Sequence, residues 1–423
     1  MGNYYRCSIV FLREILLRKD TMSAIAQEIN RLSTVLHSDV VAYRRHLHQN
    51  PELSFQEYET SKFIKAQLEK LAIPYEEVAN TGVVGVIEGT KSPAGRTIVL
   101  RADIDALPIK EENETEFTSQ KDGLMHACGH DFHTANLLGV ARILQQLTHT
   151  FSGKVLLLFQ PAEERVPGGA KAVIASGILE KLGGTISAVF GLHVSPRLDT
   201  GQIGLCAGRF MASADEFYLK INGTGGHAAE PNRAVDTIMV AAQLLTALQQ
   251  VVSRKANPLM PSVLTFGKII GNGAANVIPD HVWLEGTFRT MDEEWRKQAL
   301  QHFEEIVYGT VKMLGATAEL EIKHGYPMLI NDDVLSQQFK SSVINHFGAE
   351  HLEDVPQWMA AEDFAYYSHK YPSVFFLVGI KNEQQRVQYG LHNAKFDLDE
   401  QAFLTAMQAM TASCLDFLEE ANG

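Results

Sequence analysis

Apolar residues recur at helical spacing through residues 24–50, at Ile25, Ile29, Leu32, Val35 and Leu36, and predict an amphipathic helix that ends by Pro51. A second helix is predicted over residues 60–71, with Phe63, Ile64 and Leu68 on one side. Residues 97–105 (Thr-Ile-Val-Leu-Arg-Ala-Asp-Ile-Asp) read as a strand that ends in carboxylates. Asp131 reads as the N-cap of a helix reaching about Leu147, with Leu137, Leu138, Val140, Ala141 and Leu144 inward. A continuous apolar strand over Lys154–Gln160, a helix over residues 170–179 and a buried strand over residues 188–194 follow. Such alternation of strand and helix predicts an α/β fold, a largely parallel sheet with helices on both faces.

Near Ser213 the pattern changes. Residues 217–221 alternate as a half-exposed strand does. A helix is predicted over residues 234–252, strands over 263–269 and 281–289, a helix over 293–314 and a strand over 318–323. The order strand–helix–strand–strand–helix–strand is the ferredoxin-like signature. After Pro327 the first style resumes, with an apolar strand over residues 374–380 and a terminal helix. The expected organisation is therefore a catalytic domain in two parts, residues 24–212 and 328–423, interrupted by an α+β domain over residues 213–327.

A chain of 423 residues has room for two domains. Its net charge of −13 argues against a basic surface for nucleic acid or an anionic membrane. Cys7, Cys128, Cys206 and Cys414 lie far apart and form no Cys-x-x-Cys pair, so a reducing, cytoplasmic setting is expected rather than a disulfide framework. No membrane span is expected. Residues 8–17 are apolar but interrupted by Arg13 and Glu14, with no small-residue cleavage site after them, and Met22 is an alternative start.

Several motifs carry chemistry. In His126-Ala-Cys-Gly-His-Asp-Phe-His133 a glycine separates Cys128 from His130, and thiolate with imidazole suits zinc and other late divalent metals. Gln160-Pro-Ala-Glu-Glu164 ends an apolar strand with two carboxylates, which can splay apart, one to a metal and one to water. Asp103, Asp105, Glu163, Glu164 and His193 all fall at carboxyl ends of predicted strands, the edge where open α/β sheets bind ligands. His392 lies in Leu391-His-Asn393 near the chain end. His227 sits in a glycine-rich turn that lacks the lysine and spacing of a P-loop. Asn276 and Arg289 lie beside predicted strands. Each motif alone has an ordinary explanation: a buried cysteine, a solvated glutamate pair, a loop histidine, turn chemistry. Delivery of Asp103, Asp105, Glu163, Glu164 and His193 to one sheet edge by three separate strands sets those residues apart.

Taken in order, Arg101-Ala-Asp-Ile-Asp-Ala-Leu-Pro108, His126-Ala-Cys-Gly-His-Asp131, Gln160-Pro-Ala-Glu-Glu164, Gly191-Leu-His193, Gly225-Gly-His-Ala-Ala-Glu-Pro231 and Leu391-His-Asn393 resemble one family. It is the metal amidohydrolases that include hippurate hydrolase, indole-acetyl-amino-acid hydrolases and N-acetyl-diaminopimelate deacetylase. The resemblance runs from about Val40 to the end. It implies a metallopeptidase-like catalytic domain with an inserted ferredoxin-like lid or dimerisation domain, and a homodimer through that insertion. It also implies two divalent metal ions per subunit (zinc, manganese or nickel), with Cys128, His130, Glu164, His193 and His392 as ligands. Glu163 resembles the general base, and Asp105 the aspartate that orients a ligand. Related metallopeptidases have His-x-Asp where this chain has Asp103-x-Asp105. His227 resembles a lid histidine that stabilises the transition state, sometimes across a dimer. Asn276 and Arg289 resemble substrate contacts, with Arg289 suited to bidentate capture of a carboxylate. The expected function is hydrolysis of N-acyl-L-amino acids, hippurate- or N-acetyl-amino-acid-like, by metal-activated water. The competing readings are a dipeptidase or carboxypeptidase of the same superfamily, a hydrolase using Cys128 as nucleophile, and a non-catalytic binding protein on an enzyme fold.

Overall fold

The structure, a computed structural model, describes residues 3–92, 95–382 and 389–419, with side chains from Ala24 onward. Cys7, Met22 and the apolar side chains of residues 8–17 lie outside that description.

The first part of the chain forms α1 (Asn3–Gln49), α2 (Tyr58–Lys70), β1 (Tyr75–Val78), β2 (Gly82–Glu88), β3 (Thr97–Asp103), α3 (His130–Gln146), β4 (Lys154–Gln160), α4 (Gly169–Ser176), α5 (Ile178–Gly183), β5 (Ile186–Asp199) and β6 (Ile203–Leu205). The middle part forms β7 (Ser213–Asn222), α6 (Thr237–Leu248), β8 (Ser262–Ile270), β9 (His281–Thr290), α7 (Glu293–Met313) and β10 (Thr317–His324). The last part adds α8 (Asp333–Phe347), β11 (Leu352–Asp354), β12 (Ser373–Lys381) and α9 (Ala402–Glu419).

An eight-stranded sheet runs β1-β2-β4-β3-β5-β12-β6-β11. Its centre is parallel, β4 to β3, β3 to β5 and β5 to β12, while β1 to β2, β2 to β4 and β6 to β12 are antiparallel and β11 lies parallel to β6. β3 is buried at every position. Its side chains alternate between two cores: Ile98, Leu100 and Ala102 pack on the side of α1, α3 and α9, and Val99 on the side of α4 and α5. A strand covered on both faces needs apolar residues at odd and even positions alike, which explains the unbroken apolar run. In α3 nearly every residue is buried, and Phe132 stacks on Phe403 of α9 with centroids 4.0 Å apart.

A separate four-stranded antiparallel sheet runs β8-β9-β7-β10. β7 alternates strictly between buried and half-buried positions. Phe217, Leu219 and Ile221 pack with Val240 and Leu244 of α6 and with Phe303 and Val307 of α7. The other face is left to solvent, so this sheet shows the period-two signal that the large sheet lacks.

Four local expectations are corrected. Gly129, at φ +89°, is the residue before α3, and Asp131 lies inside the first turn rather than capping it. The helix expected over residues 170–179 breaks at Gly177, whose φ is +66°. α6 begins at Thr237 because the Asp236 carboxylate accepts the amide hydrogens of Ile238 and Met239. Val35 is 62% exposed, so the inward stripe of α1 excludes it. Among the described residues no helix is long and apolar enough to cross a membrane.

Asp131 is buried because its charge is answered from α1. Arg44 Nε donates to it at 3.1 Å and His48 Nδ1 lies 2.8 Å away, while His48 Nε2 lies 3.2 Å from Glu111. Burial opposes charge on His48, but the hydrogen bonds to Asp131 and Glu111 push it up to about 9. A folded-state value above the unfolded 6.5 means that His48 stabilises the fold fully below pH 6.5 and loses that contribution as pH rises through about 9. Urea unfolding of the metal-free protein across that interval should show a loss on the order of 3 kcal/mol. His48→Gln should flatten the profile. An unchanged slope in the variant would assign it to another group.

Candidate metal centre

The candidate donors gather at the carboxyl edge of the central strands. β3 ends at Asp103, and β4 ends at Gln160, followed by Pro161-Ala162-Glu163-Glu164. Arg101 of β3 pairs with Gly191 of β5, so His193 stands beyond the end of their ladder although β5 itself continues to Asp199. Cys128 and His130 flank Gly129, and a Cβ on Gly129 would meet Val194 Cγ2 at 2.5 Å. Only glycine combines that close approach with a left-handed φ, and the turn it makes leaves sulfur and imidazole on one side.

Cys128 Sγ lies 3.4 Å from His193 Nε2 and 3.3 Å from His392 Nε2. His392 Nε2 lies 3.1 Å from Glu164 Oε1. His130 Nε2 is 4.0 Å from a carboxylate oxygen of Glu163 and of Glu164. Of the five donor groups among the described residues whose atoms lie within 4.8 Å of one another, two share Cys128: Cys128–His130–His193 and Cys128–Glu164–His392. The structure thus brings together all five residues expected as ligands, with the Cys128 sulfur common to both groups.

Hydrogen bonding separates the histidines into two kinds. His130 donates from Nδ1 to the backbone oxygen of Asp105 at 2.9 Å, and its buried Nε2 has no partner. His193 donates from Nδ1 to Val194 O at 2.7 Å, leaving Nε2 toward Cys128. Donation from one nitrogen fixes the tautomer and leaves the other lone pair free for a cation. His133 is used at both ends: Nδ1 donates to Asp103 at 2.6 Å, and Nε2 accepts the Val194 amide hydrogen at 3.0 Å. It has nothing left to offer a metal.

The electrostatics are those of a cation site. Asp103, Asp105, Glu163, Glu362 and Asp363 are buried, and Glu164 nearly so. The Arg101 guanidinium, fully buried, reaches Asp103 at 2.6 Å, Glu362 at 2.9 Å and Asp363 at 2.8 Å. Burial pushes the Glu163 carboxyl well up, and neighbouring Glu362 and Glu164 add to this. Burial, then Glu164 and Glu163, push the Cys128 thiol well above its ordinary value. Burial also works against the Asp103 carboxylate, but His130, His133 and Arg101 hold it well below the usual range. A soft sulfur, imidazole nitrogens not claimed by backbone hydrogen bonds and surplus carboxylates fit divalent cations.

Asp105 takes no place among the donor groups. Its carboxylate accepts the amide hydrogens of Glu163 and Glu164, both at 3.0 Å, and the Ser54 hydroxyl at 2.7 Å. It holds the loop that carries both glutamates.

A cleft of about 600 Å³ opens over the donors. Cys128, Glu163, Glu164, His193 and His392 line one wall, and Glu216, Thr287 and Arg289 from β7 and β9 line another, with Tyr326 and Trp358 between. Arg289 is half-buried, its Nε 3.4 Å from Thr287 Oγ1, and no carboxylate of the described residues lies within ion-pair distance. His227 and Asn276 do not line this cleft. They are exposed neighbours where Gly226–His227 pairs with Val277–Ile278, and the Ala228 amide donates to Asn276 O at 3.0 Å.

Sequence reasoning did not single out Arg101, His133, Tyr326, Glu362 or Asp363. Arg101 leaves a trace as a lone arginine inside an apolar strand, whereas Glu362-Asp363 is one of many adjacent acidic pairs in the chain. Tyr326 donates its hydroxyl to the Glu163 backbone oxygen, a contact without a sequence signature.

Comparison with known proteins agrees with this geometry. Residues 99–416 match peptidase family M20/M25/M40. Over 389 residues the chain is 41% identical to N-acetyl-L-cysteine deacetylase of Bacillus subtilis, spanning 92% of this chain and 90% of that protein. It is 40% identical over 367 residues to IAA-amino acid hydrolase ILR1-like 4 of Arabidopsis thaliana, spanning 86% and 82%. The crystal structure of the Bacillus subtilis YXEP protein, described as a dinuclear metal binding peptidase from the M20 family, matches with a TM-score of 0.77 at 35% identity, covering 91% of this chain and 99% of that one. The chain belongs to peptidase family M20/M25/M40 and is an amidohydrolase within it.

Proposed function

We propose that this chain hydrolyses the amide bond of N-acyl-L-amino acids with two divalent cations held by Cys128, His130, Glu164, His193 and His392. The observation that carries the proposal is the sulfur of Cys128 shared between two donor groups, beside a buried carboxylate, Glu163, that no Lys or Arg of the described residues reaches. Relatives named for N-acetyl-L-cysteine and for IAA-amino acid support the substrate class. Zinc, manganese and nickel all suit this mixture of soft and hard donors.

When bound, the cations supply Lewis acidity that polarises the scissile carbonyl and makes water more acidic. Glu163 takes the proton of the attacking water as its oxygen adds to the carbonyl carbon. When the carbon–nitrogen bond breaks, Glu163 returns that proton to the departing amine. Its burial among Glu362 and Glu164 favours holding a proton between those steps. Asp105 acts as a positioning residue, aiming Glu163 and Glu164 through their amides and His130 through its ring. Arg289 binds the free α-carboxylate of the substrate from the opposite wall.

His227 and Asn276 act on substrate from a second copy of the chain, joined through the small sheet. Support comes from their exposure outside the cleft and from the apolar side chains on the edge strand β8, where Ile269 is 56% and Ile270 38% exposed. The small sheet with its helices, residues 213–327, serves as the lid and dimerisation domain in this reading. Cys128, Cys206 and Cys414 are unpaired, which supports a cytoplasmic setting. A nucleophilic role for Cys128 is the weaker reading, since burial beside Glu164 and Glu163 opposes a free thiolate, whereas bound cations would stabilise the thiolate as a ligand.

Glu163→Gln should keep the parental metal content while kcat falls about 10²–10⁴-fold on N-acetyl or N-benzoyl amino acids. Parental turnover would move the base role elsewhere, and turnover confined to dipeptides would replace the substrate class. Arg289→Ala should raise KM by about 10–100-fold with a smaller change in kcat, matching the loss of a charge-assisted hydrogen-bonded pair. An unchanged KM would release Arg289 from carboxylate binding.

A further inference from the structure

We propose that residues 44–57, which supply none of the metal ligands, form a brace that sets the spacing of the ligand-bearing loops, with Arg44 as its principal positioning residue. The inference rests on the metal reading above. The segment precedes the residues matched by the family and contributes nothing to the lining of the cleft. Its polar side chains nevertheless end on the neighbours of ligands, one loop after another.

Arg44 is 1% exposed, and each guanidinium nitrogen has its own carboxylate. Nε donates to Asp131 at 3.1 Å, Nη2 to Asp397 at 3.0 Å and Nη1 to Glu400 at 3.1 Å. Asp131 follows ligand His130 directly. Asp397 and Glu400 lie on the segment that carries ligand His392. Farther along the brace, Ser54 donates to Asp105 at 2.7 Å, and Asp105 holds His130 and the amides of Glu163 and Glu164. Glu57 accepts the Ala162 amide hydrogen at 2.9 Å, next to Glu163.

Two of the braced positions are strained. Ala162 has φ +54° and His392 has φ +61°, both in the left-handed region that favours glycine. Such conformations persist only where surrounding contacts over-determine them. The Ala162 amide is held by Glu57. The His392 amide donates to Ala127 O at 2.8 Å, and the chain after it is tied by Glu112 N–H to Ala394 O, by Asn113 to Phe396 O, and by Arg44. Cys128, Glu164 and His392 lie on loops far apart in sequence. Their mutual distances are therefore set by cross-ties of this kind. A planar fork can answer three carboxylates at once; a lysine ammonium at the same place is a single point charge on a flexible stem.

Cobalt(II) titration of the metal-free full-length chain tests the brace, reading the thiolate-to-cobalt absorption that reports on Cys128 and the melting temperature before metal is added. Asp397→Asn should leave that melting temperature near the parental one and weaken one of two cobalt equivalents by about 10–100-fold, the cost typical of disturbing a ligand's support. Arg44→Lys should weaken both. Parental cobalt affinity in Asp397→Asn overturns the brace whatever the lysine variant does, and Asp397, being partly exposed, is the change the fold tolerates more easily. A parental chain that shows no thiolate band overturns the metal reading itself, an outcome distinct from failure of the brace.

Discussion

Acidic groups are buried at the carboxyl edge of the large sheet in excess of the cationic side chains beside them. Asp103, Asp105, Glu163, Glu362 and Asp363 converge there with Glu164 and the Cys128 thiol, and Arg101 is the guanidinium among them. An isolated buried carboxylate is so costly that it shifts its pKa or takes a partner. Both responses are present. Glu163 and Glu362 are pushed toward the protonated form by burial, and Asp103 stays ionised through His130, His133 and Arg101. In the proposed reading divalent cations would resolve the remainder, at the place where His130 Nε2 has no hydrogen-bond partner.

The fold serves this arrangement through its layers. Helices on both faces keep water from the central strands, so the strand ends deliver polar groups into a dry edge, where electrostatic contacts are strong. The small sheet places Arg289 across the cleft from the donors, which in the proposed reading would give a carboxylate-bearing substrate two fixed ends. Glycine at 129 and left-handed turns at Ala162 and His392 aim three loops at one volume. The network from Arg44 to Glu57 holds those turns from behind.

Glu164 and His193 were legible because they stand at or just past strand ends, a position that hydrophobic runs mark clearly, and Cys128 and His130 because a thiol and an imidazole spaced by one glycine suit a metal. His392 was legible only through the order of motifs, since its loop has no periodic neighbour. Both sheets were legible for opposite reasons: unbroken apolar runs where both faces are covered, alternation where one is. Asp131 was misread because the cap preference of an acidic residue is local, whereas Arg44, 87 residues earlier, competes for the carboxylate through tertiary packing. Gly177 broke an expected helix because its left-handed φ leaves no mark in apolar spacing. Glu362 and Asp363 stayed hidden because their significance comes from Arg101, far away in sequence. His227 and Asn276 rested on resemblance alone, and their place outside the cleft of this chain follows from a short ladder at the rim of the small sheet.

Anomalous diffraction from crystals grown with zinc addresses the shared sulfur directly. Two peaks are expected, each about 2.3 Å from Cys128 Sγ, one on the side of His130 and His193 and the other on the side of Glu164 and His392. A single peak, or a pair that does not share Cys128, would contradict the two-cation centre.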